Sequence, residues 1–103
     1  MWAQLITTRL KPGMEDQLPK VYEQLRAAEQ PDTGLVRSIA MQDQNDPTRA
    51  FMLVIFESEE KARARESDPR REKDLEAARA TMAEIFDGPP EFVDLIVTDE
   101  TAP

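Results

Sequence analysis

The chain has 103 residues, close to the commonest size for one domain, and its 40% hydrophobic and 33% charged composition allows one modest core without staples. Thirteen basic against 21 acidic residues leave a net charge of −8, which disfavours nucleic-acid phosphates and anionic membrane surfaces as partners. Cysteine and histidine are both absent, which excludes thiolate nucleophiles, disulfides, imidazole bases, His-ligated haem and nearly every structural zinc arrangement.

Trp2 to Leu10 mixes β-formers and stops at the turn signal Lys11-Pro12-Gly13, which predicts a first strand. The opening MWAQLITTRLK has no basic segment leading into an apolar one, and nowhere do roughly 18 apolar residues run together. A cytoplasmic location is the expectation. Met14, Leu18, Val21, Tyr22, Leu25 and Ala28 then form one stripe of an amphipathic helix. Pro19 is tolerated only in the first turn, so the regular helix starts near Gln17 or Leu18.

After Gln30-Pro31-Asp32-Thr33-Gly34, two strand-like runs follow, Leu35 to Gln42 and Ala50 to Glu57, joined as a hairpin by the polar stretch Asp43 to Arg49. The second run is apolar from Ala50 to Phe56, as a central strand buried on both faces would be. Asp43-Gln44-Asn45-Asp46 lacks the glycine and the later bidentate Glu of a calcium loop, and no metal site is expected.

Phe56 to Lys73, FESEEKARARESDPRREK, carries six acidic and six basic residues. Its signs are mixed and its net charge is zero, so it reads as a solvated helical face with two helix starts. Ser58 is the first N-cap, followed by Glu59 and Glu60, with a short helix through about Glu66. Asp68-Pro69 is the second, opening a long helix whose stripe is Leu75, Ala78, Met82, Ile85 and Phe86. Gly88-Pro89-Pro90 ends it, with Gly88 expected at the left-handed position after the helix. Glu91 to Thr98 is a fourth strand.

The predicted order is β-α-β-β-α-β, an α+β ferredoxin-like plan with a four-stranded antiparallel sheet and both helical regions on one face. A single domain spans 1–98, and 99–103 forms a flexible tail. Side-chain alternation splits the strands into two sets. One holds Gln4, Ile6, Thr8, Met52, Val54, Phe56, Val93, Leu95 and Val97, and the other holds Ala3, Leu5, Thr7, Phe51, Leu53, Ile55, Phe92, Asp94 and Ile96. Both sets are largely apolar, and the helices cover only one. Pairing the uncovered faces of two subunits would release on the order of 10 kcal/mol before association costs, so a homodimer through the sheet face is expected.

Several anchors, in their order and spacing, resemble the antibiotic-biosynthesis monooxygenase family of small dimeric α+β barrel proteins. They are Lys11-Pro12-Gly13 after the opening strand, Phe56-Glu57-Ser58-Glu59-Glu60 closing the third, Ser67-Asp68-Pro69-Arg70 and Gly88-Pro89-Pro90. The resemblance implies two ferredoxin-like subunits sharing a barrel, each with a pocket between helices and sheet. It also implies an enzyme that oxidises an aromatic substrate with O2 and no cofactor. Where oxygenating members carry Asn, Trp and Tyr or His, this chain has Met52, Phe56 and Ala62, and the haem-ligating His of other members has no counterpart.

The expected pocket is an apolar slot formed by Gln4, Ile6, Met52, Val54, Phe56 and Val93 under Tyr22, Leu75, Met82 and Phe86. Substrate contacts are assigned to Gln4, Ile6, Met52, Phe56, Met82 and Phe86. Arg65, Arg37 and Tyr22 are the polar candidates, an arginine serving to hold a phenolate or enolate and lower its pKa. For Arg37 the alternative is an ion pair with Asp94, for Arg65 it is solvent, and for Tyr22 a ring in the core with its hydroxyl in water; Trp2 reads as edge or interface packing. The functional alternative to an oxygenase is a homodimeric module that binds a small hydrophobic ligand, or an accessory subunit, without catalysis.

Overall fold

The computed structural model describes all 103 residues. Strand β1 (Trp2–Arg9) leads through a 3-10 turn (Glu15–Gln17) into α1 (Leu18–Ala28), with Pro19 in its first turn as its missing N–H requires. Strands β2 (Leu35–Gln42) and β3 (Arg49–Phe56) form the hairpin. Helix α2 (Glu59–Glu66) starts where Ser58 accepts the Lys61 N–H at 3.2 Å, and α3 (Pro69–Asp74) where Asp68 accepts that of Arg70 at 2.9 Å. Helix α4 (Glu76–Ile85) and strand β4 (Glu91–Ile96) complete the chain.

The four strands pair antiparallel in the order β2-β3-β1-β4, with β3 and β1 central and the helices on one face. The α+β ferredoxin-like plan is therefore observed.

Several expectations need correction. The long helix is divided at Leu75, which keeps a right-handed backbone (φ −76°, ψ −12°) and links α3 to α4. Gly88 does adopt φ +91°, but three positions beyond Ile85. The helix ends instead because Phe86 turns extended and bridges Leu10. The last strand stops at Ile96, two residues short of the expected end.

The β4 faces are the reverse of those expected. Gln4 pairs with Asp94 and Ile6 with Phe92, so Phe92, Asp94 and Ile96 share the helix side with Gln4 and Ile6, while Val93 and Leu95 face away. Alternation sorts residues within one strand; only pairing register relates the two sets to a neighbour's faces.

Fourteen residues are buried, and all but Ala3 and Thr81 fall into three small clusters where a domain of this size usually has one contiguous core. Leu10, Leu18, Val21, Ala50 and Ile85 close one end. The backbone seals that end too: Lys11 N–H donates to the Ile85 carbonyl at 2.8 Å, and Asp87 N–H to the Arg9 carbonyl at 2.7 Å. Trp2, Val54, Phe56 and Ala62 close the other end beneath α2. Trp2 is thus a core residue, 6.0 Å from the Phe56 ring, and not edge packing. Ala28, Leu75 and Ala78 form the third cluster, between helices. Helices α1, α3 and α4 pack chiefly on one another, so the middle of the sheet lacks a close cover.

Candidate functional site

A cavity of about 990 Å3 occupies the space that the three clusters frame. Gln4, Ile6 and Thr8 of β1, Ala50, Met52, Val54 and Phe56 of β3, Ser38 and Ala40 of β2, and Phe92 of β4 form its floor. Tyr22 and Leu25 of α1, Leu75 and Met82 form the roof, and Phe86 stands at the sealed end. The volume is at the upper end of the ~300 to 1,000 Å3 range of small-molecule sites, and the lining is mostly apolar, as in such sites. A second depression, about 360 Å3, lies among polar residues of the 29–35 segment and Glu57. It has only one hydrophobic wall residue and no convergent chemistry.

All six residues expected to contact substrate line the large cavity: Gln4, Ile6, Met52, Phe56, Met82 and Phe86. Val54 also does, whereas Phe92 takes the place expected of Val93. Gln4 is oriented from the side, its Nε2 donating to Asp94 at 3.1 Å. Asp94 in turn accepts from Arg63 at 2.9 Å, and the Arg63 guanidinium lies 5.0 Å from the centre of the Trp2 ring.

The polar candidates separate. Arg37 pairs in register with Ile55, which puts it on the face away from the helices, exposed and outside the cavity. Its expected ion pair with Asp94 is also absent, since Asp94 is held by Gln4 and Arg63 on the opposite face. Tyr22 lines the cavity, and burial pushes its hydroxyl pKa above the ordinary value, so at neutral pH it is a phenol able to donate a hydrogen bond, not a base.

Arg65 does turn inward. Its Nε donates to both carboxylate oxygens of Glu29 at 3.2 Å and its NH2 group to Oε2 at 2.6 Å, while the guanidinium lies 5.3 Å from the centre of the Phe56 ring. This pair is largely shielded, with side chains 14% and 26% exposed. Burial pushes the Glu29 carboxyl up, but the hydrogen bonds and charge of Arg65, with help from the Thr33 hydroxyl and Arg71, more than offset it and hold the pKa below the ordinary value.

Glu29 and Arg71 were not among the expected site residues, yet both line the cavity. A signal for each was present. Glu29 continues the α1 stripe four residues after Leu25, and Arg71 precedes Leu75 by four on the stripe of the second helical region. Charged side chains there point along the apolar face, not away from it.

No family model matches the sequence, and no curated protein matches it. Solved structures do match its fold. A protein of Nitrosomonas europaea provisionally named an antibiotic biosynthesis monooxygenase is 17% identical, with a TM-score of 0.74 over 94% of this chain and 98% of that one. A Caulobacter crescentus protein of the same provisional name is 18% identical, with a TM-score of 0.74 over 95% and 90% of the two chains. A third, from Chloroflexus aurantiacus, is 20% identical, with a TM-score of 0.67 over 99% and 98%. At such identities the likeness is one of fold, and it extends over nearly the whole length of each chain. No helix of the chain is long and apolar enough to cross a membrane.

Proposed function

We propose that the chain is a cofactor-independent monooxygenase of the antibiotic-biosynthesis type, acting with O2 on a small aromatic substrate held in the cavity. The observation that carries this reading is the framed, apolar 990 Å3 space itself. The fold likeness to proteins with that provisional name supports the same reaction class.

The chemistry asks little of the protein. An electron-rich substrate such as an anthrone, once deprotonated, passes electrons to O2 directly. When a ring CH2 becomes C=O, the substrate supplies all four electrons, keeps one oxygen atom and releases the other as water with its two hydrogens. Within the apolar wall, the site need only favour the deprotonated form. Oxygen uptake with anthrone, naphthol and flavin-type substrates tests the reading: turnover is expected, with one quinone formed per O2 from the anthrone or naphthol, and no uptake across the panel overturns it.

One observation favours a second reading. The only phenol in the wall is neutral, the Glu29 carboxylate is engaged by Arg65 and that of Glu66 by Arg63, so no unpaired base lines the cavity. On that reading the chain binds a small hydrophobic ligand without converting it, and tight binding without oxygen uptake is its signature.

Either reading includes a homodimer through the bare sheet face. Leu5 lies between Leu53 and Val93, and Ala3 between Ile55 and Leu95, while Met41, Val93 and Leu95 are exposed. This apolar surface favours burial against a second copy. Light scattering should give a dimer mass at micromolar concentration and a monomer for Leu53→Glu; a wild-type monomer overturns the assembly.

A further inference from the structure

Four arginines line the cavity, Arg26, Arg65, Arg71 and Arg79, against two glutamates, Glu29 and Glu66, although the whole chain carries −8. Three of the four are accounted for. Arg65 is held by Glu29, Arg79 by Glu72, and Arg26 is exposed in water. Arg71 is half-buried on α3 and its guanidinium makes neither hydrogen bond nor ion pair, the nearby carboxylates Glu29 and Glu72 being engaged by Arg65 and Arg79. Burial, with the neighbouring charge of Arg65, pushes its pKa down, yet a guanidinium stays protonated throughout the working pH range. A partly desolvated charge without a partner is costly, and the cost is recovered when a ligand brings the partner.

We propose that the cavity takes an amphipathic acid, with a ring-bearing apolar body on Ile6, Met52 and Met82 and a carboxylate at the Arg71 guanidinium. This rests on the cavity being the substrate site. The planar fork of a guanidinium matches a carboxylate with two parallel N–H donors, the arrangement Arg65 already shows with Glu29, Nε to Oε1 and the NH2 group to Oε2. A single unpaired fork suits a monoanion, whereas a phosphate dianion would call for several donors. The excess of positive charge around the cavity draws such an anion in against the overall field of the chain. Anchored on α3, the acid would lay its ring body across the apolar floor, away from the anchoring charge.

The test compares 2-naphthoate with 2-naphthamide, of the same shape without the charge, by titration calorimetry at pH 7 and low salt. Wild-type protein should bind the acid about tenfold more tightly than the amide, the size of effect expected of one charge-assisted contact. Arg71→Gln should bring the two within about twofold, chiefly by weakening the acid, and Arg71→Lys should fall between. Arg9→Gln removes the same charge from a site paired with Asp46 outside the cavity, and it should keep the full preference. Equal affinities in wild type, a comparison that needs no variant, overturn the proposal and leave the cavity an aromatic site. A preference that survives Arg71→Gln also overturns it. Binding of neither probe overturns both it and the substrate-site reading. Acid-selective binding without oxygen uptake supports the anion site and removes only the oxygenase.

Discussion

The sealed end of the helix-covered sheet and its hollow middle are built from the same kinds of residue, and they differ in what stands opposite. At the sealed end Leu10, Leu18, Val21, Ala50 and Ile85 are at most 4% exposed, and backbone hydrogen bonds tie α4 to the end of β1. In the middle, Ile6, Met52, Leu25 and Met82 are equally apolar but only partly buried, because the helices pack on one another above them. An apolar inventory thus measures what a chain can bury, and helix placement decides whether the surface becomes core or cavity wall.

The contrast breaks most visibly at its packed end. Ile85 is 2% exposed within a tight cluster, so Ile85→Ala should cost about 3 kcal/mol, within the span for large-to-small changes where neighbours cannot collapse. Urea unfolding measures it. A loss under about 1 kcal/mol would mean that this end is as loosely filled as the middle and would dissolve the comparison.

In the hollow half, polar contacts take over part of what packing does elsewhere. Arg65 and Glu29 join α2 to the end of α1, so Arg65→Gln leaves a partly buried carboxylate without its main partner and should cost about 2 kcal/mol near pH 7. The pH dependence has a definite sign. The folded-state pKa of Glu29 is depressed, so the contribution is full above its unfolded pKa, near the ordinary value of 4.5, and is lost as pH falls through the lower folded value. The gap between wild type and Arg65→Gln should therefore be widest at neutral pH and should narrow below about pH 4. A gap independent of pH from 7 to 3 would show that Arg65 acts through its packing on Phe56 instead.

Helix starts were legible where the chain carries its own turn and cap chemistry, as at Ser58, Asp68 and Pro69, whereas the break at Leu75 and the early end of β4 carry no such signal. The apolar wall was legible as well, and all six expected contact residues reach the cavity. The β4 face was not, because Phe92 and Val93 are both apolar and neither alternation set excludes the other; the Gln4–Asp94 register decides between them. Glu29 and Arg71 were hidden for another reason. Each follows or precedes an apolar stripe at the right spacing, and only the stand-off of the helices from the sheet leaves room there for a charged side chain to point inward. Arg65 and Arg37 show the limit of residue type as a guide: strand register turns Arg37 to the face away from the helices, whereas Arg65 reaches the cavity from helix α2.

The smallest expected effect gives the sharpest measure of the hollow. Enlarging a side chain in a filled core usually costs about 1 to 3 kcal/mol through strained rotamers and shifted backbone. Ala50, 3% exposed in the sealed cluster, should show that cost as Ala50→Leu. Two residues along the same face of β3, Met52 borders the cavity, so the added ring of Met52→Phe has space to enter. Its stability should stay within about 0.5 kcal/mol of wild type, because buried apolar area and lost side-chain freedom change little. The same substitution removes room from the floor, so 2-naphthamide should bind several-fold more weakly while the fold stays intact. If Met52→Phe destabilises as much as Ala50→Leu, the space above Met52 closes in solution and the middle of the sheet is packed like its end.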